Sequence, residues 1–193
     1  MTMKAIDLHI KNMVCYRCIL VVQQELENLN IVVKQIELGY VSYFNPLDVP
    51  ISNVALALAK YDLELIYQDE EVLLEKIKNT AIEYVQYLEK ETDPIILSVF
   101  LTQKLGKHYQ YISKYFSKYT QKTIEKYVIL QKVERVKELL QYRELSVGQI
   151  AQKLKYSSIH HLSNQFKKEV GVSISTYKKE FMPKRKFIDH ILQ

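Results

Sequence analysis

The segment Leu145–Gly171, LSVGQIAQKLKYSSIHHLSNQFKKEVG, decides the fold of the C-terminal half of this chain. A short helical pattern is followed by a break and then by an amphipathic pattern in which Leu162 and Phe166 lie four residues apart on the inward side. Ser157 or Ser158 is placed to cap the second helix. The segment therefore predicts a helix-turn-helix motif, an arrangement that lays its second helix in the major groove of DNA.

A second copy of the same pattern precedes it in Ile96–Thr120, ILSVFLTQKLGKHYQYISKYFSKYT. Gly106 suits the turn because glycine adopts positive φ without a steric penalty. Between the copies, Thr123 is predicted to cap a helix of about 18 residues, which would span roughly 27 Å at 1.5 Å per residue. The C-terminal half is therefore predicted to be an all-α unit with two helix-turn-helix motifs.

The charge of the chain is concentrated in this same half. The formal net charge is +5, but residues 1–69 carry −3, residues 70–92 carry −3 and residues 93–193 carry +11. A basic block of this size favours a polyanion as partner, because each Lys or Arg placed on a phosphate releases counterions. The alternative is a solvated basic surface that only aids solubility.

The N-terminal segment has a different pattern. Short β-like runs at AIDLHI, IVVKQIEL, YVSYF and LELIY alternate with helical runs at CILVVQQELENL and NVALALAKY. The resulting order, βαββαβ, is that of the ferredoxin-like plan, in which helices cover one face of a four-stranded antiparallel sheet. The predicted fold is thus an α+β ferredoxin-like domain followed by an all-α double helix-turn-helix domain.

A helix without Gly or Pro is predicted over residues 70–90, between these two parts. Its apolar residues follow heptad spacing, which is compatible with a homodimer contact. The alternative, packing of this stripe on its own chain, stays open because two heptads are too few for a coiled coil. The stripe consists of Leu74, Ile77, Ala81, Tyr84 and Leu88.

The predicted organisation is a sensor domain at 1–69, a linker helix at 70–92 and a DNA-binding domain at 93–193. No apolar run approaches the roughly 18 to 20 residues of a membrane helix, and the N-terminus lacks the apolar stretch of a signal peptide. We therefore expect no membrane partner and a cytoplasmic location.

Residues from Ile95 to Phe181 resemble the AraC/XylS family of bacterial regulators, whose DNA-binding domain joins two helix-turn-helix units by a long helix. The motif F-K-x-x-x-G-x-S-x-x-x-Y of that family stands here at Phe166 to Tyr177. Two turn glycines of the family are replaced, by Gln121 and Lys155. The resemblance implies a sequence-specific transcriptional regulator that binds double-stranded DNA.

The same resemblance implies which side chains read DNA. Gln and Asn can pair bidentately with adenine and Lys can donate to guanine, whereas lysines at the helix ends suit phosphates. The implied base readers are Gln110, Ser113, Lys114, Ile159, His160, Ser163 and Asn164, and the implied phosphate contacts are Lys118, Lys167 and Lys168.

Cys15 and Cys18 form an M-x-C-x-x-C motif with Met13 at the junction of the first strand and first helix. The dipole of the helix is predicted to favour the thiolate of the second cysteine, with help from Arg17. The stretch resembles the heavy-metal-associated domain, which implies two thiolates holding Cu(I) or another soft metal ion. Two alternatives remain: a thiol redox switch, and cysteines that bind nothing.

The sequence thus predicts a DNA-binding regulator controlled by a metal ion or by thiol redox state at Cys15 and Cys18. One alternative is a metal-handling, metallochaperone-like protein, and another is a regulator whose N-terminal domain only mediates protein interaction. We expect no enzyme, because no acid–base pair, phosphate loop or Cys/His constellation with catalytic spacing is found.

Overall fold

A computed structural model of the chain describes residues 4–179. The chain divides into two compact units, Met1–Asn79 and Thr80–Gln193. Phe181, where the resemblance to the AraC/XylS family ends, and the remainder of the predicted domain at 93–193 beyond Lys179 lie outside the described residues.

The first unit contains a four-stranded sheet with strand order β2-β3-β1-β4, and every neighbouring pair is antiparallel. The sheet forms because apolar and polar residues alternate, so that Leu8 and Ile10 are buried while Asp7 is exposed. The small antiparallel sheet predicted for the N-terminal part is confirmed. Its strands are β1 (Ile6–Lys11), β2 (Val32–Glu37), β3 (Tyr40–Phe44) and β4 (Glu64–Ile66).

Two helices, α1 (Tyr16–Asn28) and α2 (Ile51–Ala59), complete the order β1-α1-β2-β3-α2-β4. Val22 and Leu26 of α1, together with Val54 and Leu58 of α2, belong to the core cluster that also contains the inward side chains of the sheet. Met13, which precedes the cysteine pair, is fully buried in this cluster. The core therefore fixes both ends of the loop that carries the cysteines.

The turn between β2 and β3 requires a glycine. Gly39 has a φ of +81°, and a Cβ atom at this position would lie 2.7 Å from Nδ2 of Asn79. Any larger residue would therefore be strained in its backbone and would displace the Asn79 side chain.

The helix α3 (Asp69–Lys90) contributes its first part to the first unit and its last part to the second. Its first turn contains Asp69, Glu70 and Glu71, where the macrodipole stabilises negative charge. In the predicted apolar stripe, Ile77, Ala81, Tyr84 and Leu88 are already buried within a single chain. This burial favours the alternative that the stripe packs on its own chain.

The second unit is helical throughout its described part, which confirms the helical C-terminal region. After the last part of α3 come α4 (Leu97–Leu105), α5 (Tyr109–Thr120), α6 (Ile124–Tyr142), α7 (Val147–Lys153), α8 (Ile159–Val170) and α9 (Ile174–Lys179). Within residues 4–179 no helix is both long and apolar enough to cross a membrane.

Candidate nucleic-acid interface and cysteine pair

The helix α5 begins after a glycine turn and is held by two buried side chains. Gly106 ends α4 in the left-handed conformation, with φ 62°. Ile112 and Phe116 are fully buried, four residues apart, and they fix which face of α5 is turned inward. The opposite face carries the residues that the sequence analysis singled out: Gln110, Lys114 and Lys118 are exposed and Ser113 is half-buried.

The helix α8 repeats this arrangement 50 positions later in the chain. The hydroxyl of Ser158 caps the helix by accepting a hydrogen bond from the backbone N–H of His161 at 3.0 Å. Leu162 and Phe166 are fully buried. On the outward face Ile159, His160, Asn164, Lys167 and Lys168 are exposed and Ser163 is half-buried.

Two positions where the AraC/XylS family has glycine keep the glycine-like conformation in this chain. Gln121 ends α5 with φ 56°, and Lys155, in the turn between α7 and α8, has φ 54°. The left-handed region costs an ordinary residue roughly 1–2 kcal/mol relative to the right-handed one. The turns are therefore retained despite the substitutions, with some backbone strain.

The long helix α6 connects the two helix-turn-helix motifs and packs against both α5 and α8. Thr123 caps α6, as predicted, by accepting a hydrogen bond from the backbone N–H of Lys126 at 3.2 Å. The ring of Tyr127 packs 5.4 Å from that of Phe116 in α5. At the same end of α6, Lys126 pairs with Glu169 of α8 at 2.6 Å. Both α5 and α8 thus pack against the same helix.

The same helix is fastened to the last part of α3 by a charge cluster. Arg135 donates to the two carboxylate oxygens of Glu89 at 2.5 and 2.9 Å, and the Glu89 side chain is only 8% exposed. Lys153 of α7 approaches the same carboxylate at 3.5 Å. The bidentate contact with Glu89, together with Glu138, raises the pKa of the Arg135 guanidinium, so this group is always charged.

One edge of α5 carries aromatic side chains to which the sequence analysis assigned no role. The rings of Tyr111, Tyr115 and Tyr119 follow one another with centroids 5.8 and 4.7 Å apart. Lysines lie over both ends of this row, Lys107 over Tyr111 at 5.5 Å and Lys118 over Tyr119 at 4.9 Å. In the sequence these tyrosines are four residues apart, and this spacing was the signal that they share one edge of a helix.

The two cysteines lie at the start of α1, with their Sγ atoms 3.5 Å apart. Cys15 is the N-cap residue and Cys18 lies in the first turn, where its backbone N–H donates to the Cys15 carbonyl at 3.0 Å. Both side chains are partly buried. The arrangement brings two sulfur atoms together at the helix N-terminus.

The sequence predicted the favoured thiolate on Cys18, whereas the hydrogen bond between the two thiols favours it on Cys15. A hydrogen bond from Cys18, together with the backbone N–H groups of Cys18 and Arg17, lowers the pKa of the Cys15 thiol to about 5. The thiolate of Cys15 and burial in turn raise the pKa of Cys18. The largest cause is the hydrogen bond between the two thiols, which lowers the pKa of Cys15 and raises that of Cys18.

The sulfur pair can be compared with the needs of a metal ion. Two sulfur atoms 3.5 Å apart, one of them a thiolate, suit a soft ion with low coordination number. Within the described part of the chain, no group of three or more His, Cys, Asp and Glu side chains is arranged to hold a metal. Sulfur donors suit a soft ion such as Cu(I) by their chemistry, whereas two of them are too few for a closed zinc site.

Comparison with known proteins places the C-terminal half in a known domain type. Residues 101–180 match the family model described as a helix-turn-helix domain. The match confirms a helix-turn-helix domain over these residues. No curated protein sequence matches the chain.

Two solved structures are similar to parts of the chain. The C-terminal domain of AraT, a response regulator from Geobacillus stearothermophilus, is 26% identical and has a TM-score of 0.43, with 53% of this chain and 86% of that one covered. The transcriptional regulator CdpR from Pseudomonas aeruginosa is 14% identical with a TM-score of 0.43, covering 82% of this chain and 51% of that one.

Proposed function

We propose that this protein is a sequence-specific transcriptional regulator of the AraC/XylS type that reads a bipartite DNA site with α5 and α8. The observation that carries the proposal is the equivalence of the two helices: each is held by a buried pair at the same position and turns a polar face outward. Because both pack against α6, a single chain presents two reading heads at a fixed separation. Successive major-groove segments lie roughly 34 Å apart, about one turn of B-DNA.

The outward residues supply the chemistry for reading bases. Gln110 and Asn164 have amides that can donate to and accept from adenine, and Lys114 can donate to guanine. His160 lies at the position of α8 that matches Gln110 in α5 and is exposed. The remaining proposed base readers, which provide small hydroxyls and one apolar surface, are Ser113, Ile159 and Ser163.

Lysines near the ends of both helices are proposed to contact phosphates. Lys118 lies in the last turn of α5, and Lys167 and Lys168 lie in the last turn of α8. All three are exposed. Such contacts increase affinity for any sequence and make it dependent on salt. We propose a cytoplasmic location, where DNA is accessible, and no enzymatic activity.

We further propose that residues 1–69, within the first unit, form a ferredoxin-like sensor domain whose input is the cysteine pair. The element order and the strand order β2-β3-β1-β4 support the fold. The two sulfur atoms, 3.5 Å apart at the start of α1, support a soft metal ion held by Cys15 and Cys18. An ion regulates only if it binds one arrangement of the protein more tightly than another.

Selection of binding sites from random-sequence duplex DNA tests the first proposal. We expect the wild type to enrich a site with two conserved segments about one helical turn apart. Gln110→Ala should relax the choice of bases in one segment and His160→Ala in the other, at about 1–3 kcal/mol per lost pairing. Unchanged base preferences in both variants would refute the assignment of α5 and α8 as readers.

The sensor proposal is tested separately. DNA binding of the wild type and of Cys15→Ser/Cys18→Ser is measured with and without Cu(I), under reducing conditions, and again after oxidation of the thiols. We expect only the wild type to respond to Cu(I). If the DNA binding of the wild type changes only after oxidation, the cysteine pair is a redox switch and not a metal site. If DNA binding is identical under all conditions, the N-terminal unit has no sensing role, and the alternative of a protein-interaction domain is favoured. Metal transfer without any DNA binding would instead identify a metal-handling protein.

A further inference from the structure

The edge of α5 that carries tyrosines and lysines has a composition unlike the rest of this helix. Tyr111 is 49% exposed and Tyr119 is 41% exposed, although both are large aromatic residues. The opposite edge carries the smaller hydroxyl residues Ser113 and Ser117. The helix is therefore asymmetric, with one broad aromatic and basic edge, and this asymmetry requires an explanation beyond packing of the domain.

The position of this edge follows from helical geometry. At about 100° per residue, Lys114 lies about 40°, Lys118 about 80° and Tyr111 about 100° around the helix from Gln110. The buried pair Ile112 and Phe116 lies about 200° to 240° from Gln110, on the far side. Tyr111 and Lys118 thus lie on the side of the helix, between the outward face and the core. When a helix lies in the major groove, its side faces the sugar–phosphate strand that borders the groove.

The contacts along the edge orient its basic groups. The Lys107 amino group lies over the ring of Tyr111, and that of Lys118 lies over the ring of Tyr119. Tyr115 packs between the two tyrosines, with ring centroids at 5.8 and 4.7 Å. A cation held over an aromatic face keeps its charge, so the edge presents two positioned ammonium groups and a phenol hydroxyl.

The matching edge of α8 is occupied within its own domain. At the positions 50 residues after Tyr111 and Tyr119, the chain has His161 and Glu169. His161 contacts the Ser157 hydroxyl through Nδ1 at 3.0 Å, and Glu169 pairs with Lys126 at 2.6 Å. The aromatic, basic edge is thus not a requirement of the helix-turn-helix fold, because α8 forms without one.

We propose that Lys107, Tyr111 and Lys118 bind the sugar–phosphate strand that borders the groove read by α5, while Tyr115 and Tyr119 position them. This inference rests on the proposed function. Two cations and a hydroxyl donor suit phosphates, and the tyrosine ring offers deoxyribose an apolar surface. Within α5 the rise from Tyr111 to Lys118 is about 10 Å, and Lys107 lies in the turn before the helix, so the three groups are spread over more than one phosphate of one strand. The first recognition helix therefore anchors the protein on one strand, in addition to reading bases.

Binding of the full-length protein to a labelled random-sequence duplex of roughly 30 bp, measured over a range of salt concentrations, tests this inference. Lys107→Gln should weaken binding and reduce the slope of log K against log salt by about 0.9, because one phosphate contact is lost. Tyr111→Phe should weaken binding about fivefold without changing the slope, because the lost hydroxyl is neutral. The matched controls are Lys4→Gln and Tyr67→Phe, exposed residues of the first unit, which should behave as the wild type.

Other outcomes have distinct meanings. Unchanged affinity and slope for both Lys107→Gln and Tyr111→Phe, with a wild type that binds DNA, overturn the inference and leave the proposed function intact. If Lys107→Gln and Tyr111→Phe bind DNA normally but no longer support transcription in a purified system, the inference is also overturned. In that case the edge would contact a protein and not DNA. A folded wild type that binds no duplex overturns the proposed function and this inference together.

Discussion

Gln121 and Gly171 end the two recognition helices in the same left-handed conformation, with φ of 56° and 86°. The backbone N–H of each closes the last helical turn, donating to the carbonyl of Ser117 and of Lys167 respectively, at 2.9 Å in both cases. One turn geometry is therefore achieved with two different residues, and only glycine adopts it without strain.

The strain at Gln121 predicts a stabilising substitution. Gln121→Gly should increase the free energy of unfolding by about 0.5–1 kcal/mol, because the left-handed penalty is removed and part of the gain is offset by a more flexible unfolded chain. Gly171→Ala is the matched control and should decrease the free energy of unfolding by about 1 kcal/mol. Because no atom lies within 4 Å of the new Cβ, this decrease would come from the backbone conformation alone. Thermal unfolding measures both, and a destabilised Gln121→Gly protein would contradict the account.

The charge cluster at Glu89 predicts a destabilising substitution. Glu89→Gln leaves the partly buried Arg135 without its bidentate partner, so the free energy of unfolding should fall by about 2–3 kcal/mol. Glu144→Gln, at an exposed position, should change it by less than about 0.5 kcal/mol. If denaturant titrations gave Glu89→Gln and Glu144→Gln the same free energy of unfolding, the charge cluster would contribute nothing to stability.

Lys132 predicts a pH dependence of stability. Burial lowers the pKa of Lys132 from 10.5 to about 8, and its amino group lies 3.9 Å from the ring centroid of Tyr156. Above pH 8 the folded protein releases this proton while the unfolded chain keeps it up to about pH 10.5, so stability should rise across this interval. The stability gained across this interval should be about 3 kcal/mol and should be absent in Lys132→Met. If the free energy of unfolding of the wild type and of Lys132→Met changed with pH in the same way, the pKa of Lys132 would not be lowered.

The cysteine pair predicts one reactive thiol. Because the pKa of Cys15 is lowered to about 5, its alkylation by iodoacetamide should reach half of its maximal rate near that pH. Cys18→Ala removes the hydrogen bond that is the main cause and should move the midpoint upward, toward 9.0. Mass spectrometry identifies the modified residue, and preferential alkylation of Cys18 near pH 5 would reverse our assignment.

The parts of the fold that the sequence predicted are those decided by short-range patterns. Ile112 and Phe116, like Leu162 and Phe166, repeat at the helical period, and burying them requires amphipathic helices. Thr123 caps α6 because a side-chain hydroxyl before a helix satisfies a free N–H group. Alternating apolar and polar residues in β1 and the β-branched and aromatic residues of β3 likewise predicted strands.

What the sequence did not predict depends on particular contacts or on distant partners. Which cysteine carries the thiolate depends on the hydrogen bond between the two thiols, a contact that sequence patterns do not specify. The buried pair of Glu134 and Lys137 on α6 looks from sequence like an exposed helical face. Tyr111 and Tyr119 fit a core or a surface equally well, since tyrosine has an apolar ring and a polar hydroxyl.

The central claim, that one chain reads two segments of DNA at a fixed separation, is tested most directly by changing that separation. Affinity is measured for the selected duplex and for duplexes with about 5 bp or about 10 bp inserted between the two conserved segments. Because α6 holds both reading helices, we predict that either insertion reduces affinity to the level of random-sequence DNA. Full affinity for the duplex with the longer insertion would contradict the claim, since it would require reading heads that move independently.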